Sequence, residues 1–323
     1  MENLPITTDG RPRRAVLLLN PGARRGADAI DPVLDRLRAG GVALDERPMT
    51  SPEEVTRLLT AAEATADCAI VGGGDGSLRM AAAGIEASGL ALGILPLGTA
   101  NDHARTLGIP DDPVAAAEVI LGGHRRTIDL GTVNGEPFFN VASIGLATEL
   151  ARELSGDLKK RWGRLGYAIA AIRTLAKARR FTAWITESDQ TIRTRTMQIA
   201  VGNGRFYGGG NVVAEHAAID DEHLDLYSLE MRTVWRLALM LWSFRSGEHG
   251  AWSEVTTLRG TEFEVRTGSP RPVNADGEIV TETPARFLVH PKAITVFAPP
   301  PAADEPPREV SPHRRIPASE LRW

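Results

Sequence analysis

Cysteine, aromatic residues and long apolar runs are all scarce in this sequence of 323 residues. The single cysteine, Cys68, excludes an internal disulfide, and its apolar surroundings predict a small buried residue rather than a nucleophile. Aromatic residues make up 5% of the chain and the net charge is -4, so both the stacking surface and the basic field of a nucleic-acid-binding protein are missing. No nucleic acid is therefore expected among its partners.

No apolar run approaches the ~20 residues that a membrane-spanning helix requires. The first run after the polar N-terminus covers only residues 15–19. The sequence therefore predicts a cytoplasmic protein and leaves a homodimer open. Peripheral contact with the inner face of the membrane is also open, because residues 158–180 form a strongly basic segment.

Hydrophobic patterning divides the chain into two domains and a tail. Over residues 1–128 strand and helix patterns alternate, with strands expected at residues 15–19, 42–47, 68–71 and 91–94, which is typical of an α/β domain with a mostly parallel sheet. Over residues 129–298 short β-rich runs predominate and indicate a largely antiparallel domain. Two of these runs, residues 138–143 and 191–201, are each expected to be one strand. Residues 299–323, rich in proline and charge, are expected to form a loose tail.

Three loops rich in glycine or small polar residues follow predicted strands of the first domain. They read NPGARRG from Asn20, GGGDGS from Gly72 and PLGTAND from Pro96. Ligands of α/β sheets lie beyond the carboxyl ends of the strands, and bare backbone N–H groups at a helix N-terminus bind phosphate, so the loops predict a phosphate site. It is neither a dinucleotide fingerprint nor a P-loop, since Ser77 and Thr99 stand where those motifs need Gly and Lys. The alternative is that the glycines only allow tight turns.

Carboxylates are the candidates for the chemistry. Asp75, inside the second loop, is the first candidate for holding Mg²⁺, because that ion commonly binds one or two carboxylates together with substrate phosphates. The alternative is that Asp75 caps the helix that follows it. Asp276 and Glu278, two residues apart in NADGE, would project to one face of an extended segment and share a site. The alternative for this motif is a β-turn with exposed acids.

Five blocks of sequence lie in order between residues 15 and 299. They read LLLNPGARRG, VGGGDGSLRMAAAGI, GILPLGTANDHARTLGIP, VGNGRFYGGGNVVAEHAAIDDEHLDL and NADGEIVTETPARFLVHPKAITVFAP. Together they resemble blocks of the bacterial diacylglycerol-kinase-like lipid kinases of the YegS type, which are similar in fold to sphingosine kinases and NAD kinases. The resemblance implies an α/β fold class in two domains, with a Rossmann-like, NAD-kinase-like nucleotide-binding domain and a C-terminal β-sandwich. It also implies transfer of the γ-phosphate of ATP, with Mg²⁺, to a hydroxyl of a membrane lipid, diacylglycerol first, which gives phosphatidic acid.

The resemblance assigns roles to single residues. Those expected to contact the nucleotide are Asn20, Thr50, Gly72, Gly73, Gly74, Asp75, Gly76, Ser77, Leu78, Gly98, Thr99 and Asn101. Asp276 and Glu278 resemble the acidic pair assigned to base catalysis, and Asp75 is the remaining catalytic candidate. Asp221 resembles the ligand of a structural Mg²⁺, and the backbone carbonyls of Ala218 and His223 would complete that second metal site.

Three residues depart from the family's pattern. Arg24 stands where most relatives carry Gly, Glu222 replaces the Gly that usually follows the metal-binding Asp, and His103 replaces a common aromatic residue. Glu222 puts the structural Mg²⁺ in question. Other functions are also open: a kinase for phosphatidylglycerol or a sphingoid base, a kinase for a soluble acceptor, and a nucleotide-binding regulatory protein without turnover. Retention of all three acidic catalytic candidates argues against the last.

Residues 158–180 carry eight basic residues and no acidic one, with apolar residues near helical spacing. An amphipathic helix of this composition can lie against anionic lipid. The alternative is a helix that packs on the β domain and exposes its basic face to solvent.

Overall fold

The computed structural model describes residues 10–22, 26–146, 148–149, 179–203, 206–207, 211–212, 218–230 and 255–300. These residues form two compact units, one at 10–130 and 291–300 and the other between 131 and 290. Most of the basic segment, Arg24 and the tail from residue 301 lie outside the described residues.

The first unit is a parallel sheet whose strands alternate with helices. In chain order its elements are β1 (Arg14–Leu19), α1 (Gly26–Ala39), β2 (Ala43–Pro48), α2 (Pro52–Ala62), β3 (Cys68–Gly73), α3 (Asp75–Ser88), β4 (Ala91–Pro96), α4 (Asp102–Thr106) and α5 (Pro113–Gly122). β1 pairs in parallel with β2 on one side and β3 on the other, and β3 pairs in parallel with β4. The predicted α/β unit is confirmed, and the parallel pairing puts the carboxyl ends of the four strands at one edge.

Burial and capping explain why these segments fold as they do. β3 and β4 are buried along their whole length, as parallel strands between helices are. α2 begins where the sequence predicts, because Ser51 accepts a hydrogen bond from the N–H of Glu54 and Pro52 occupies the first helical position. α3 ends at Gly89, whose φ of 65° is left-handed. Local sequence signals therefore determine the ends of these helices.

The second unit is a β-sandwich. The elements that complete the chain order are β5 (Arg125–Val133), β6 (Glu136–Phe138), β7 (Val141–Gly145), β8 (Phe181–Glu187), β9 (Gln190–Thr196), β10 (Gln198–Gly202), β11 (Phe206–Tyr207), β12 (Asn211–Val212), β13 (Leu224–Leu229), β14 (Val255–Gly260), β15 (Glu262–Thr267), β16 (Pro272–Ala275), β17 (Glu278–Glu282) and β18 (Ala285–Phe297). One sheet of the sandwich contains β18, β15, β8 and β9, and the other has the order β14-β13-β10-β7-β16-β17. Apolar side chains from both sheets form one buried core, with Phe263 and Phe287 from one sheet and Ile199 and Leu226 from the other, which confirms the predicted sandwich.

The last strand belongs to both units. The second domain over residues 129–298 stays a prediction, and in the structure the chain returns to the first unit at residue 291. The cause is the length of β18, whose final residues pair in parallel with β4, with Val296 opposite Leu92.

Two runs that the sequence predicts as single strands are each divided in the structure. Residues 138–143 form the end of β6 and the start of β7, and residues 191–201 form most of β9 and β10. In both cases the chain passes from one sheet of the sandwich to the other. Hydrophobic patterning does not mark such a corner, because the strands on both sides of it bury a face in the same core.

Candidate active site

The residues predicted to bind a nucleotide all lie at the carboxyl edge of the parallel sheet in the first unit. Asn20 follows β1, Thr50 follows β2, residues 72–78 join β3 to α3, and residues 98–101 join β4 to α4. These positions follow four strands that are neighbours in the sheet. The structure thus brings the three glycine-rich loops together, as the alternation of strands and helices predicts.

Asn20 connects the first loop to the second. Its Nδ2 donates a hydrogen bond to Oγ of Ser77 (2.8 Å), and its backbone N–H donates to the carbonyl of Gly72 (3.1 Å). Its Oδ1 accepts from the N–H of Gly22 (2.9 Å), which closes the first loop on itself. The second loop leads into α3 with Gly74 at the N-cap, a residue with no side chain to cap the helix. The N-terminus of α3 therefore has the form that suits an anion.

Close contact explains two of the glycines. A Cβ placed on Gly98 would lie 2.5 Å from Cα of Gly74, and one placed on Gly74 would lie 3.1 Å from Cα of Gly98. Side chains at these positions would therefore push the second and third loops apart. From the sequence, the glycines are predicted to leave the backbone open to phosphate. At Gly74 and Gly98 the absence of side chains also allows the second and third loops to contact each other.

Asp75 ties the second loop to the third. Its Oδ1 accepts a hydrogen bond from the N–H of His103 (2.9 Å) and its Oδ2 accepts one from the N–H of Asp102 (3.2 Å). Burial raises the pKa of Asp75, and these backbone hydrogen bonds oppose that rise. The carboxylate of Asp75 accepts from the first N–H groups of α4. It does not cap α3, which is the alternative interpretation of the sequence. Ligation of Mg²⁺ by Asp75 stays a prediction, and the ion would share the carboxylate with two N–H groups.

Asn101 holds the third loop in a strained backbone conformation. It is buried, its φ is 50°, and its Oδ1 accepts from the N–H of Gly98 (3.0 Å). Its Nδ2 donates to Oδ1 of Asp111 (2.7 Å), a partner that the sequence does not reveal. In the sequence, a pair of acidic residues stands directly before Pro113. This pattern predicts only the helix cap that Asp112 provides to α5.

In the second unit, NADGE forms a tight turn between β16 and β17. The two residues of the turn, Asp276 and Gly277, have φ values of 46° and 98°, as the two central residues of a type I′ hairpin require. The turn offered as the alternative for this motif is therefore present. Glu278, the first residue of β17, is exposed to solvent, whereas Asp276 is only partly exposed. The two acids, predicted to share one site, thus have different surroundings.

The carboxylate of Asp276 holds the passage from β6 to β7. Its Oδ2 accepts a hydrogen bond from the N–H of Phe139 (2.6 Å), and its Oδ1 accepts from the N–H groups of Asn140 and Val141 (3.0 Å each). A carboxylate has about four acceptor positions, so three backbone donors occupy most of them. Asp276 therefore acts on the shape of this region, and its catalytic role stays a prediction.

Asn203, which directly follows β10, supports the same passage. Its Nδ2 donates to the carbonyl of Phe139 (3.0 Å), and its backbone N–H donates to the carbonyl of Asn140 (2.8 Å). The sequence contains this residue within VGNG but assigns it no role. Asp276 and Asn203 together bind the backbone N–H and C=O groups of residues 139 and 140, where the chain turns from β6 into β7.

An arginine from a distant strand pairs with the loop predicted to hold a structural Mg²⁺. Oδ2 of Asp221 lies 2.7 Å from Nη2 of Arg259 and accepts from the N–H of Ala218 (3.3 Å), and its Oδ1 accepts from the N–H of His223 (3.1 Å). Both side chains of the ion pair are largely buried, with exposures of 12% and 19%. Burial raises the pKa of Asp221, while the charge of Arg259 acts to lower it. The sequence does not predict this pair, because Arg259 lies on β14, far along the chain.

These residues do not fit a divalent cation while Arg259 keeps its position. The guanidinium of Arg259 supplies the positive charge that the ion would supply. A divalent cation bound to the same carboxylate would be repelled by the guanidinium. Glu222 has a left-handed backbone (φ 62°), a conformation that Gly adopts readily, so the substitution of Glu for Gly has not prevented this conformation. Metal ligation by Ala218, Asp221 and His223 stays a prediction from the resemblance alone.

We expect the thermal stability of the protein to be insensitive to Mg²⁺ and to chelators, because Arg259 neutralises Asp221 without a metal. Arg259→Gln would leave a buried carboxylate without its cation, at a cost of about 3–5 kcal/mol in the free energy of unfolding. Added Mg²⁺ should restore part of that loss. Thermal denaturation with Mg²⁺ or EDTA measures both effects.

The matched control is Arg286→Gln, which removes an exposed pair with Glu262 in the same unit and should cost less than about 1 kcal/mol. A fall in the melting temperature of the unmodified protein on chelation would show that a metal is bound despite Arg259.

Comparison with known families shows what the chain is similar to. The family model described as "Diacylglycerol kinase catalytic domain" matches residues 14–133. The one described as "YegS C-terminal NAD kinase beta sandwich-like domain" matches residues 140–298. Two family models thus match the two parts of the chain that differ in fold.

Individual relatives cover nearly the whole chain. A protein of Pseudomonas aeruginosa named "Probable lipid kinase YegS-like" is 34% identical over 302 residues, covering 91% of this chain and 98% of its own. A "Diacylglycerol kinase" of Mycobacterium tuberculosis is 30% identical over 296 residues, covering 88% and 95%. A crystal structure of a diacylglycerol kinase from Bacillus anthracis superposes with a TM-score of 0.76 at 26% identity, covering 90% of this chain and 98% of that one.

Proposed function

Because the chain belongs to the bacterial YegS-like lipid kinase family and is therefore a kinase, we propose that it transfers the γ-phosphate of ATP to a hydroxyl of diacylglycerol, giving phosphatidic acid. The observation that most directly supports the proposal is the convergence of the three glycine-rich loops at one edge of the parallel sheet. A relative named diacylglycerol kinase, 30% identical, favours diacylglycerol over other lipid acceptors.

The second loop is the proposed phosphate site. α3 begins there behind Gly74, and the positive end of its dipole, together with backbone N–H groups, would face the phosphates. Asn20 and Ser77 hold the first two loops together, so the phosphate-binding backbone is preorganised. Thr50 and Thr99, both exposed at the same edge, are the proposed side-chain contacts to the nucleotide.

Asp75 is the proposed carboxylate for Mg²⁺, together with the phosphates of the nucleotide. When bound, the ion neutralises charge on the phosphates. Within the residues that the structure describes, no three His, Cys, Asp or Glu side chains gather into a metal site. Asp75 also fixes α4 against α3, so the same side chain would link the shape of the loops to the binding of the nucleotide.

Glu278 is the proposed acceptor of the proton from the lipid hydroxyl. Phosphoryl transfer passes through a loose transition state, in which the oxygen begins to bond to phosphorus before its proton leaves, so a weak base suffices. Glu278 is exposed to solvent, so a substrate hydroxyl can reach its carboxylate, and the carboxylate of Asp276 accepts from three backbone N–H groups. Asp276 is accordingly a positioning residue that holds the hairpin against residues 139–141.

An assay with labelled ATP, Mg²⁺ and a panel of lipids in mixed micelles tests the acceptor. We expect diacylglycerol to be phosphorylated about tenfold or more faster than phosphatidylglycerol or a sphingoid base, because a site that hydrogen-bonds one head group leaves polar groups unpaired with another. NAD and an incubation without acceptor are the controls. Faster labelling of NAD would move the proposal to a soluble acceptor, and hydrolysis without transfer would leave a nucleotide-binding protein without lipid kinase activity.

The substrate requires the protein to reach a lipid surface. No helix in the described ranges is long and apolar enough to cross a bilayer. We propose peripheral contact with an anionic membrane, for which residues 158–180 are the candidate from the sequence, and these lie almost wholly outside the described residues.

A further inference from the structure

The outer face of the β15-β8-β9 sheet exposes a tryptophan between arginines. Trp184 is one of the two large apolar side chains that the described residues expose, at 36%. Strand pairing places Arg266 and Arg193 on either side of it, and the guanidinium of Arg193 lies 5.9 Å from the centre of the indole ring. The neighbours of Trp184 along β8, Ala183 and Ile185, point into the buried core, so the alternation of the strand directs the indole outward.

The arginines of this face differ in their pairing. Arg266 and Arg286 form ion pairs with Glu264 and Glu262, at 2.7 and 2.6 Å. Four others at this end of the second unit have no carboxylate partner among the described residues: Arg179, Arg180, Arg193 and Arg195. Arg195 follows Arg193 by two residues on the same exposed face, about 7 Å further along the strand. Counted over the described residues, the face therefore carries a net positive charge around an exposed amphipathic ring.

We infer that this face, the arginine–tryptophan face formed by Arg180, Trp184, Arg193 and Arg195, docks on the surface of an anionic lipid bilayer. Arginines are attracted to anionic head groups, and a tryptophan ring is favoured at the boundary between head groups and acyl chains. A sheet face is broad enough to lie along a planar surface while its opposite side stays packed in the core. The inference rests on the proposed function, because a kinase for membrane lipids must work at such a surface.

The decisive measurement is sedimentation with phosphatidylglycerol-containing vesicles at 0.1 M salt. Each arginine near an anionic surface strengthens binding about fivefold, so Arg193→Ala with Arg195→Ala should weaken it by about 30-fold. The matched control is Arg13→Ala with Arg14→Ala, which removes two exposed arginines of the first unit and should leave binding unchanged. The difference should disappear near 1 M salt, where electrostatic attraction extends only about 3 Å. Equal binding of the two double variants at low salt would overturn the inference.

The tryptophan provides a second measurement on the same face. Vesicles of brominated phosphatidylglycerol should quench the fluorescence of the unmodified protein, and Trp184→Phe should reduce that quenching, although the other five tryptophans are unchanged. Unchanged quenching in Trp184→Phe would overturn the inference. The inference would also be overturned if the arginine variant lost self-association but still bound vesicles, because the face would then be a contact between two copies of the chain. Binding of single-stranded DNA in preference to vesicles would assign it to nucleic acid.

Kinase activity separates this inference from the proposed function. The arginine variant should phosphorylate a short-chain diacylglycerol in non-ionic micelles as fast as the unmodified protein, because it alters no residue of the candidate active site. Salt-sensitive vesicle binding through Arg193 and Arg195 without any lipid phosphorylation would refute the proposed function and leave the docking face standing.

Discussion

Replacing Glu278 by Gln is expected to lower kcat for diacylglycerol by a factor on the order of 10²–10⁴, without a change in the affinity for ATP or in thermal stability. Glutamine has nearly the same shape but cannot accept a proton, and Glu278 is exposed at the start of β17, so no packing is lost. Steady-state kinetics, calorimetry of ATP binding and thermal denaturation of the same preparation measure the three quantities. A kcat near that of the unmodified protein would eliminate Glu278 as the proton acceptor.

Asp276→Asn is the matched comparison and should behave differently. An amide has one acceptor oxygen where the carboxylate has two, so at least one of the N–H groups at residues 139–141 would lose its partner. An unsatisfied backbone donor costs about 1–3 kcal/mol, which should appear as a lower melting temperature together with a lower kcat. An Asp276→Asn protein of unchanged stability with a kcat reduced as far as that of Glu278→Gln would instead make Asp276 the base.

Replacing Asp75 by Asn is expected to weaken ATP binding by a factor on the order of 10–100 and to abolish most of the turnover. The two carboxylate oxygens accept from the N–H groups of Asp102 and His103, and an amide in their place turns a donor toward one of them. The second and third loops would separate, and the charge proposed to hold Mg²⁺ would be lost. Calorimetry of ATP binding with and without Mg²⁺ distinguishes separation of the loops from loss of the metal-binding charge, because only the loss of charge depends on the metal.

Asp67→Asn is the control for this substitution. Asp67 also accepts two backbone N–H groups, those of Arg13 and Arg14 at 2.7 and 2.9 Å, but both reach a single oxygen, Oδ2, which an amide oxygen can replace. It lies at the amino ends of β1 and β3, away from the glycine-rich loops. ATP affinity should therefore stay the same in Asp67→Asn, and an unchanged affinity in Asp75→Asn as well would remove Asp75 from the nucleotide site.

Much of the fold follows from signals that act within a few residues. The start of α2 depends on Ser51 and Pro52, and the end of α3 on Gly89, because capping bonds join residues that are neighbours in the chain. The buried runs that become β3 and β4 are recognisable because a parallel strand covered on both faces is apolar throughout. The position of the three loops follows in turn, because parallel strands carry their following loops to the same edge.

The partners of the acidic residues could not be predicted in this way. Asp75 bonds to N–H groups 27 and 28 residues along the chain, and Asp276 bonds to N–H groups 135 to 137 residues before it. No periodicity or spacing encodes such pairs, since a backbone N–H has the same chemistry at every residue except proline.

The sequence by itself determined which residue types are present at the candidate site, and that each follows a strand or forms a tight turn. Only the tertiary structure decided how their charges are used, because the hydrogen bonding of a carboxylate depends on what folding brings within about 3 Å of it. Thus Asp75 joins two loops, Asp276 holds a corner of the sandwich while Glu278 stays exposed, and Asp221 meets Arg259. The physical reason is range: propensity and capping act over a few residues, whereas electrostatic partners are chosen by contacts between distant parts of the chain.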